Sequence, residues 1–212
     1  MKKLLWILSI FFSISIGLYP LAYLFADMSG AFLSTKPEEL LSSLVWSLAF
    51  YVHIGFGGVA LLVGWLQFVK RFRNRYLSIH RNLGKVYLVS IGLSGISGLY
   101  IAFFATGGVI PITGFSGLAI AWMFTTYRAY TSILERNTNA HEAWMIRSYA
   151  MCFAAVTLRI WLPLMQFGMG IEFINAYRIV AWLCWVPNLF VAEMIVRSVR
   201  TVSVRTAAVD NP

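Results

Sequence analysis

Six apolar runs, each about as long as a bilayer is thick, decide what this chain can fold into. A helix needs roughly 20 mainly apolar residues to cross the hydrocarbon layer. Residues 4–26, 40–69, 83–106, 113–134, 143–168 and 173–196 each supply such a run and together take up nearly the whole sequence. The connections are short, and no linker, low-complexity segment or change of composition divides them. The expected architecture is therefore all-α, a polytopic membrane helical bundle of about six transmembrane helices. Residues 1–200 form its single six-span domain, and residues 201–212 a short disordered cytoplasmic tail. With 59% hydrophobic and 12% charged residues, the chain has no material for a soluble domain beside the bundle. The first run follows Lys2 and Lys3 as a secretory leader would. It is too long for one, and Leu24-Phe25-Ala26 lacks the small-x-small cleavage pattern, so an uncleaved span is expected.

Charge placement sets the orientation, because loops rich in Lys and Arg are retained in the cytoplasm. The connector between the second and third runs carries Lys70, Arg71, Arg73, Arg75, Arg81 and Lys85. Arg128 and Arg136 lie between the fourth and fifth runs, and Arg197, Arg200 and Arg205 follow the sixth. All fall on the side of Lys2 and Lys3, so both termini are expected to be cytoplasmic. The same placement removes nucleic acid as a partner. The net charge of +9 is divided among span margins rather than gathered on one soluble face, and contact with the lipid bilayer and its anionic headgroups accounts for it. Cys152 and Cys184 fall inside spans, where buried apolar thiols are expected rather than a disulfide. Glycines at 55, 57, 58 and 64, and at 92, 95 and 98, let helices approach closely.

Only three histidines are available. Two stand in matching surroundings: "SIHRNLGKVY" opens the third span after the basic run "KRFRNRY", and "NAHEAWMIRSY" opens the fifth. Ser78 and Asn139 are good N-cap residues two positions ahead of His80 and His141, and Asn139 with Glu142 resembles a capping box. The partial positive charge of a helix N-terminus keeps a nearby imidazole neutral, the form that a metal, a haem iron or a hydrogen-bonded quinone requires. Singly, each histidine would anchor its helix among headgroups. As a pair at one depth, they point to a shared site near the cytoplasmic face, which requires spans three and five to meet.

His53, in "FYVHIGFGG", differs. Counted from Leu40 it lies ~20 Å along its helix, close to the bilayer midplane, where an ionisable side chain faces the bundle interior or a cavity. It precedes the inner end of its span by ~24 Å of helix, too far to share an iron with the other two. At most one bis-histidine haem is then available, held by His80 and His141. Arg159, in "VTLRIWLP", either snorkels outward past Pro163 or turns inward to hold an anionic headgroup, a carboxylate or a haem propionate. Arg147 lies nearer the cytoplasmic side, where it would complete a polar belt around His141, and Glu193 with Arg197 reads as an i,i+4 ion pair. Trp65, Gln67, Trp122, Thr125 and Thr126 occupy the inner halves of spans two and four, the tryptophans as interfacial anchors. The sequence has no His-Glu-x-x-His motif, cysteine cluster, Gly-x-Ser-x-Gly elbow or intramembrane carboxylate pair, and so shows no hydrolytic machinery.

The blocks "HIGFGGVALLVGWLQF", "HRNLGKVY", "HEAWMIRSYAMCFAAVTLRIWLP" and "AWLCWVPNLFVAE" resemble the bacterial integral membrane family called domain of unknown function 2306, over about residues 45–196. The resemblance takes in all three histidines, Arg147 and Arg159. It implies a multi-pass protein of the bacterial cytoplasmic (inner) membrane and carries no activity with it. A remoter similarity to small b-type cytochromes rests on helix count and histidines.

Two functional expectations follow. In the first, a redox cofactor, haem b or quinone, binds near the cytoplasmic side for electron transfer. His80 and His141 are its metal ligands or hydrogen-bond partners, Arg147 offsets negative charge, and a redox partner shares the membrane. In the second, the protein is a non-enzymatic carrier or assembly partner whose His53 and Arg159 contact a small anionic or lipid-like solute.

Overall fold

Lipid offers no hydrogen bonds, so each apolar run pairs its N–H and C=O groups within itself and becomes a helix. The structure, a computed structural model, describes residues 2–25 and 32–209. Six helices are long and apolar enough to cross a membrane: Lys3–Leu21, Leu44–Phe68, Leu77–Ala102, Val109–Leu134, Thr138–Gly168 and Phe173–Val199, spans one to six below. No strand occurs among the described residues.

Span two starts later than its hydropathy suggests. Pro37 opens a separate turn, Glu38–Leu41, and Ser43 then caps a new helix by accepting a bond from the Trp46 N–H. Spans three and five start earlier, at Leu77 and Thr138. Their first turns carry His, Arg and Asn at headgroup level, which dilutes the hydropathy there. The expected caps are corrected accordingly. Ser78 and Asn139 lie inside the first turns, while Asn137 caps span five through an Oδ1 bond from Ala140 N–H at 2.9 Å, and Tyr76 precedes span three with no side-chain cap. The helix that ends span six continues through Val209, so the tail expected to be disordered is helical that far. Residues 210–212, like the expected end of span one at residue 26, lie outside the described residues.

Spans two and three pack as one antiparallel hairpin, spans four and five as another, and spans three and four join them. Span one lies against spans two and five, and span six against spans four and five. The glycines do permit close approach: a Cβ on Gly58 would stand 2.6 Å from the Gly17 carbonyl oxygen of span one. Both cysteines are buried free thiols.

Spans five and six are each broken partway. Span five turns at Phe153, between Thr138–Cys152 and Ala154–Pro163. Span six breaks between Leu183 and Val186, just ahead of Pro187, which has no N–H to donate. The two breaks are stitched together. Thr157 Oγ1 and Asn188 Nδ2 donate to the Cys184 carbonyl at 2.5 and 2.9 Å, and Asn188 also reaches the Ala150 carbonyl at 3.2 Å.

Candidate functional site

A cavity of about 400 Å³ lies among the spans, in the half of the bundle remote from the basic connectors. Its wall is mostly apolar, with Phe50, Leu61, Trp122 and Leu158 among the lining residues, and Tyr19, Tyr23, Lys36, His53, Ser94 and Arg159 add polar groups. Among the described residues no Asp or Glu lines it.

His53 reaches the cavity from the first half of span two. Its Nδ1 lies 2.8 Å from the Ser94 carbonyl oxygen and 3.2 Å from Ser94 Oγ, and that hydroxyl in turn donates to the His53 carbonyl at 2.9 Å. A carbonyl only accepts, so Nδ1 carries the proton and Nε2 keeps its lone pair. Gly98 makes this position possible, because a Cβ there would stand 2.6 Å from Nδ1.

Arg159 lies just past the break in span five and turns inward onto the cavity wall; the outward course past Pro163 is not taken. One terminal nitrogen donates to the Ala155 carbonyl at 3.0 Å, and the guanidinium stacks 4.8 Å above the Tyr19 ring. Among the described residues no carboxylate pairs with it. A guanidinium has five N–H donors, so most of its capacity faces whatever enters. His53 is close enough to feel its charge.

Lys36 reaches the cavity from the connector ahead of span two. It is 8% exposed, and its ammonium donates to the Phe104 carbonyl at 2.6 Å and to Thr106 Oγ1 at 3.1 Å. Burial pushes its pKa down to about 8. Trp46, 2% exposed and stacked on Phe50, also lines the cavity, and its indole N–H meets no acceptor.

Toward the basic end the polar groups close on one another. Tyr87 Oη and Ser148 Oγ are 3.0 Å apart, Ser148 Oγ and Thr126 Oγ1 2.7 Å, and Thr126 donates to the Trp122 carbonyl at 2.8 Å. The series ends on a carbonyl, so it fastens spans three, four and five together rather than passing protons along. Spans three and five thus meet through side chains. Trp122, expected to be an interfacial anchor, is instead buried in the core. The Tyr149 hydroxyl ties span five to Ser13 of span one at 2.8 Å.

The family described as "Predicted membrane protein (DUF2306)" matches residues 50–196. The chain belongs to this family. It is also similar to the "Ava biosynthesis cluster protein G" of Aspergillus versicolor, 26% identical over 129 residues, which are 57% of this chain and 37% of that protein. The chain thus spans little more than a third of that relative's length. No solved structure matches.

Within the DUF2306 region the five residues singled out from the sequence fall into separate groups. His53 and Arg159 come together on the cavity wall, which His80, His141 and Arg147 do not line. His80 and His141 stand fourth in their helices, and His80 is near enough to feel the charges of His141, Arg73 and Arg81. The His141 Nδ1 proton goes to the Ala129 carbonyl at 2.8 Å. Arg147 forms a two-pronged pair with Glu193 of span six, at 2.5 and 2.9 Å, and stacks 4.5 Å over Trp144. Glu193 Oε1 and Oε2 accept these two bonds. Among the described residues no three His, Cys, Asp or Glu side chains gather to hold a metal. Lys36 and Trp46 precede the family match and were not recognised in the sequence, where one reads as an ordinary loop charge and the other as an ordinary apolar residue.

Proposed function

We propose that this DUF2306 protein binds one acidic amphiphile in the cavity, as a membrane carrier or assembly partner for that solute. The anionic head would sit among Arg159, His53 and Lys36, with its apolar tail along Phe50, Leu61, Trp122 and Leu158. The observation that carries this reading is Arg159. A guanidinium held inside a membrane bundle is costly where, as among the described residues here, no carboxylate pairs with it, and a ligand carboxylate or phosphate offsets that cost. His53 adds an acceptor for a protonated acid, Trp46 adds a donor, and the volume falls in the range of small-ligand sites, roughly 300–1,000 Å³. The redox reading at His80 and His141 has less support, because the two imidazoles do not line the cavity and Arg147 is engaged by Glu193.

The test uses full-length protein in detergent titrated with oleate, read by fluorescence of the cavity tryptophans, alongside identification of co-purifying lipids. Saturable one-to-one binding is expected, weakened at least ~30-fold in Arg159→Gln, the scale of removing one partner of a desolvated charge pair. Arg178→Gln, which loses only a bond to the Gly107 carbonyl at 2.8 Å, should bind as the wild type does. Oleate affinity unchanged in Arg159→Gln, or a neutral quinone as the co-purifying occupant, overturns the reading.

A further inference from the structure

Gln67 closes span two on the single turn Trp65–Phe68 and is 5% exposed, yet among the described residues its Nε2 meets no hydrogen-bond partner. Its amide oxygen lies 3.9 Å from where a Cβ on Gly84 would stand, and Gly84 is one turn along span three from His80. His80 Nδ1 is likewise buried without a partner. An unsatisfied buried donor costs about 1–3 kcal/mol, and native proteins keep few of them without a compensating partner. The Gln67 amide thus stands against span three at Gly84, one turn from His80, and one acceptor between them would answer both.

The chemistry of that partner follows from the donors and the field. The Gln67 amide nitrogen offers protons and no lone pair, so it cannot ligate a cation. Arg73 and Arg81 act on His80, and Lys70, Arg71, Arg75 and Lys85 belong to the same connector. That field repels a metal ion and attracts an anion. Depth narrows the choice further. Gln67 is the penultimate residue of span two and His80 the fourth of span three, which places both at the level of lipid phosphates.

We infer that Gln67 and His80 form a second anion site, separate from the cavity, that takes the oxygens of a phosphate group at the basic face of the membrane. Gln67 donates through Nε2 and His80 through Nδ1–H, and the connector arginines supply long-range attraction. The occupant is a lipid phosphate monoester or free phosphate.

Native mass spectrometry of the full-length protein in detergent, with dioleoyl phosphatidic acid and dioleoyl phosphatidylcholine at equal mole fraction, tests this directly. Phosphatidic acid should be retained about tenfold or more over phosphatidylcholine. Gln67→Leu and His80→Leu should each abolish the preference although every arginine remains, and Arg159→Gln should leave it intact, which separates this site from the cavity. A parallel titration with inorganic phosphate follows the ¹⁵N-labelled imidazole of His80 by NMR. Shifts with free phosphate identify a soluble anion as an occupant, and retention of phosphatidic acid without such shifts identifies the lipid headgroup. A thermal readout guards against misfolded variants. Ligand-free Gln67→Leu, relieved of a buried unpaired amide, should melt above ligand-free wild type, and phosphatidic acid should raise the melting temperature of the wild type alone. Absence of both responses in the wild type, or a lipid preference that survives in both leucine variants, overturns the inference.

Discussion

The remote half of the bundle and its basic half both carry polar side chains within membrane-crossing helices, but they arrange them in opposite ways. Around the cavity, Arg159 and His53 are held from behind: one bond to Ala155, one to Ser94, with the rest of each group turned to the open volume. Toward the basic end, Tyr87, Ser148 and Thr126 answer one another and finish on a backbone carbonyl. Gln67 and His80, with the indole N–H groups of Trp65 and Trp122, depart from that closure among the described residues. Polar groups that satisfy each other act as fasteners; polar groups braced on one side and open on the other act as a site. Counting intramembrane polar residues in a sequence cannot make this distinction, because it depends on where the second hydrogen bond goes.

The largest effect that would break the comparison comes from Gly98→Ala. The new methyl would stand 2.6 Å from His53 Nδ1 and 2.8 Å from Cε1, so the ring must leave Ser94, at a stability cost of ~1–3 kcal/mol for overpacking. Oleate affinity should fall with it, by tenfold or more. Gly92→Ala, on the same span with no atom within 4 Å, should bind normally and melt slightly higher, as helix propensity dictates. Equal loss in both variants would show that span three, and not the seat of His53, is what matters. Next in size is Ser148→Ala, which strips the Tyr87 hydroxyl of its buried partner and should cost ~1–2 kcal/mol with oleate affinity unchanged. A loss of oleate binding there would mean that the fasteners belong to the site.

How much of this was legible beforehand follows the same division. The spans were readable because 20 apolar residues in a row leave a bilayer no alternative, whereas the ~20 Å counted from Leu40 to His53 becomes ~14 Å because span two starts at Leu44. The meeting of His53 with Arg159 was not readable, since it depends on the turn at Phe153 and on which glycine of span three lies opposite the ring. The starts of spans three and five were displaced by their polar first turns. Lys36 escaped notice because loop lysines are ordinarily solvated, and nothing local in "LSTKPEEL" says that this one folds back onto Phe104 and Thr106. Depth alone sets Arg147 near the level of His141, and nothing local in the sequence points to its partner Glu193, 46 residues further on.

A smaller effect is expected from the Arg147–Glu193 pair, whose side chains are 13% and 38% exposed. Because the carboxylate is partly solvated, Glu193→Gln should cost only ~1 kcal/mol and loosen span six from span five. Hydrogen exchange along span six, with oleate affinity unchanged, is the readout.

The last and smallest test is a pH titration centred on Lys36. Its ammonium titrates at about 8 in the folded protein against an ordinary 10.5. Below pH 8 it is charged in both folded and unfolded states. Between pH 8 and 10.5 the folded state has released a proton that the unfolded state still holds, so stability rises with pH across that window. From pH 7 to 9 the gain is about 1 kcal/mol, a rise of roughly 2–4 °C in melting temperature for a chain of this size, and Lys36→Met should remove it. Oleate binding must run the other way, because an anionic head favours the charged ammonium. Affinity should therefore fall several-fold as pH passes through 8 in the wild type and stay level in Lys36→Met. Parallel slopes in the two proteins would place the head away from Lys36 and leave the anion to Arg159.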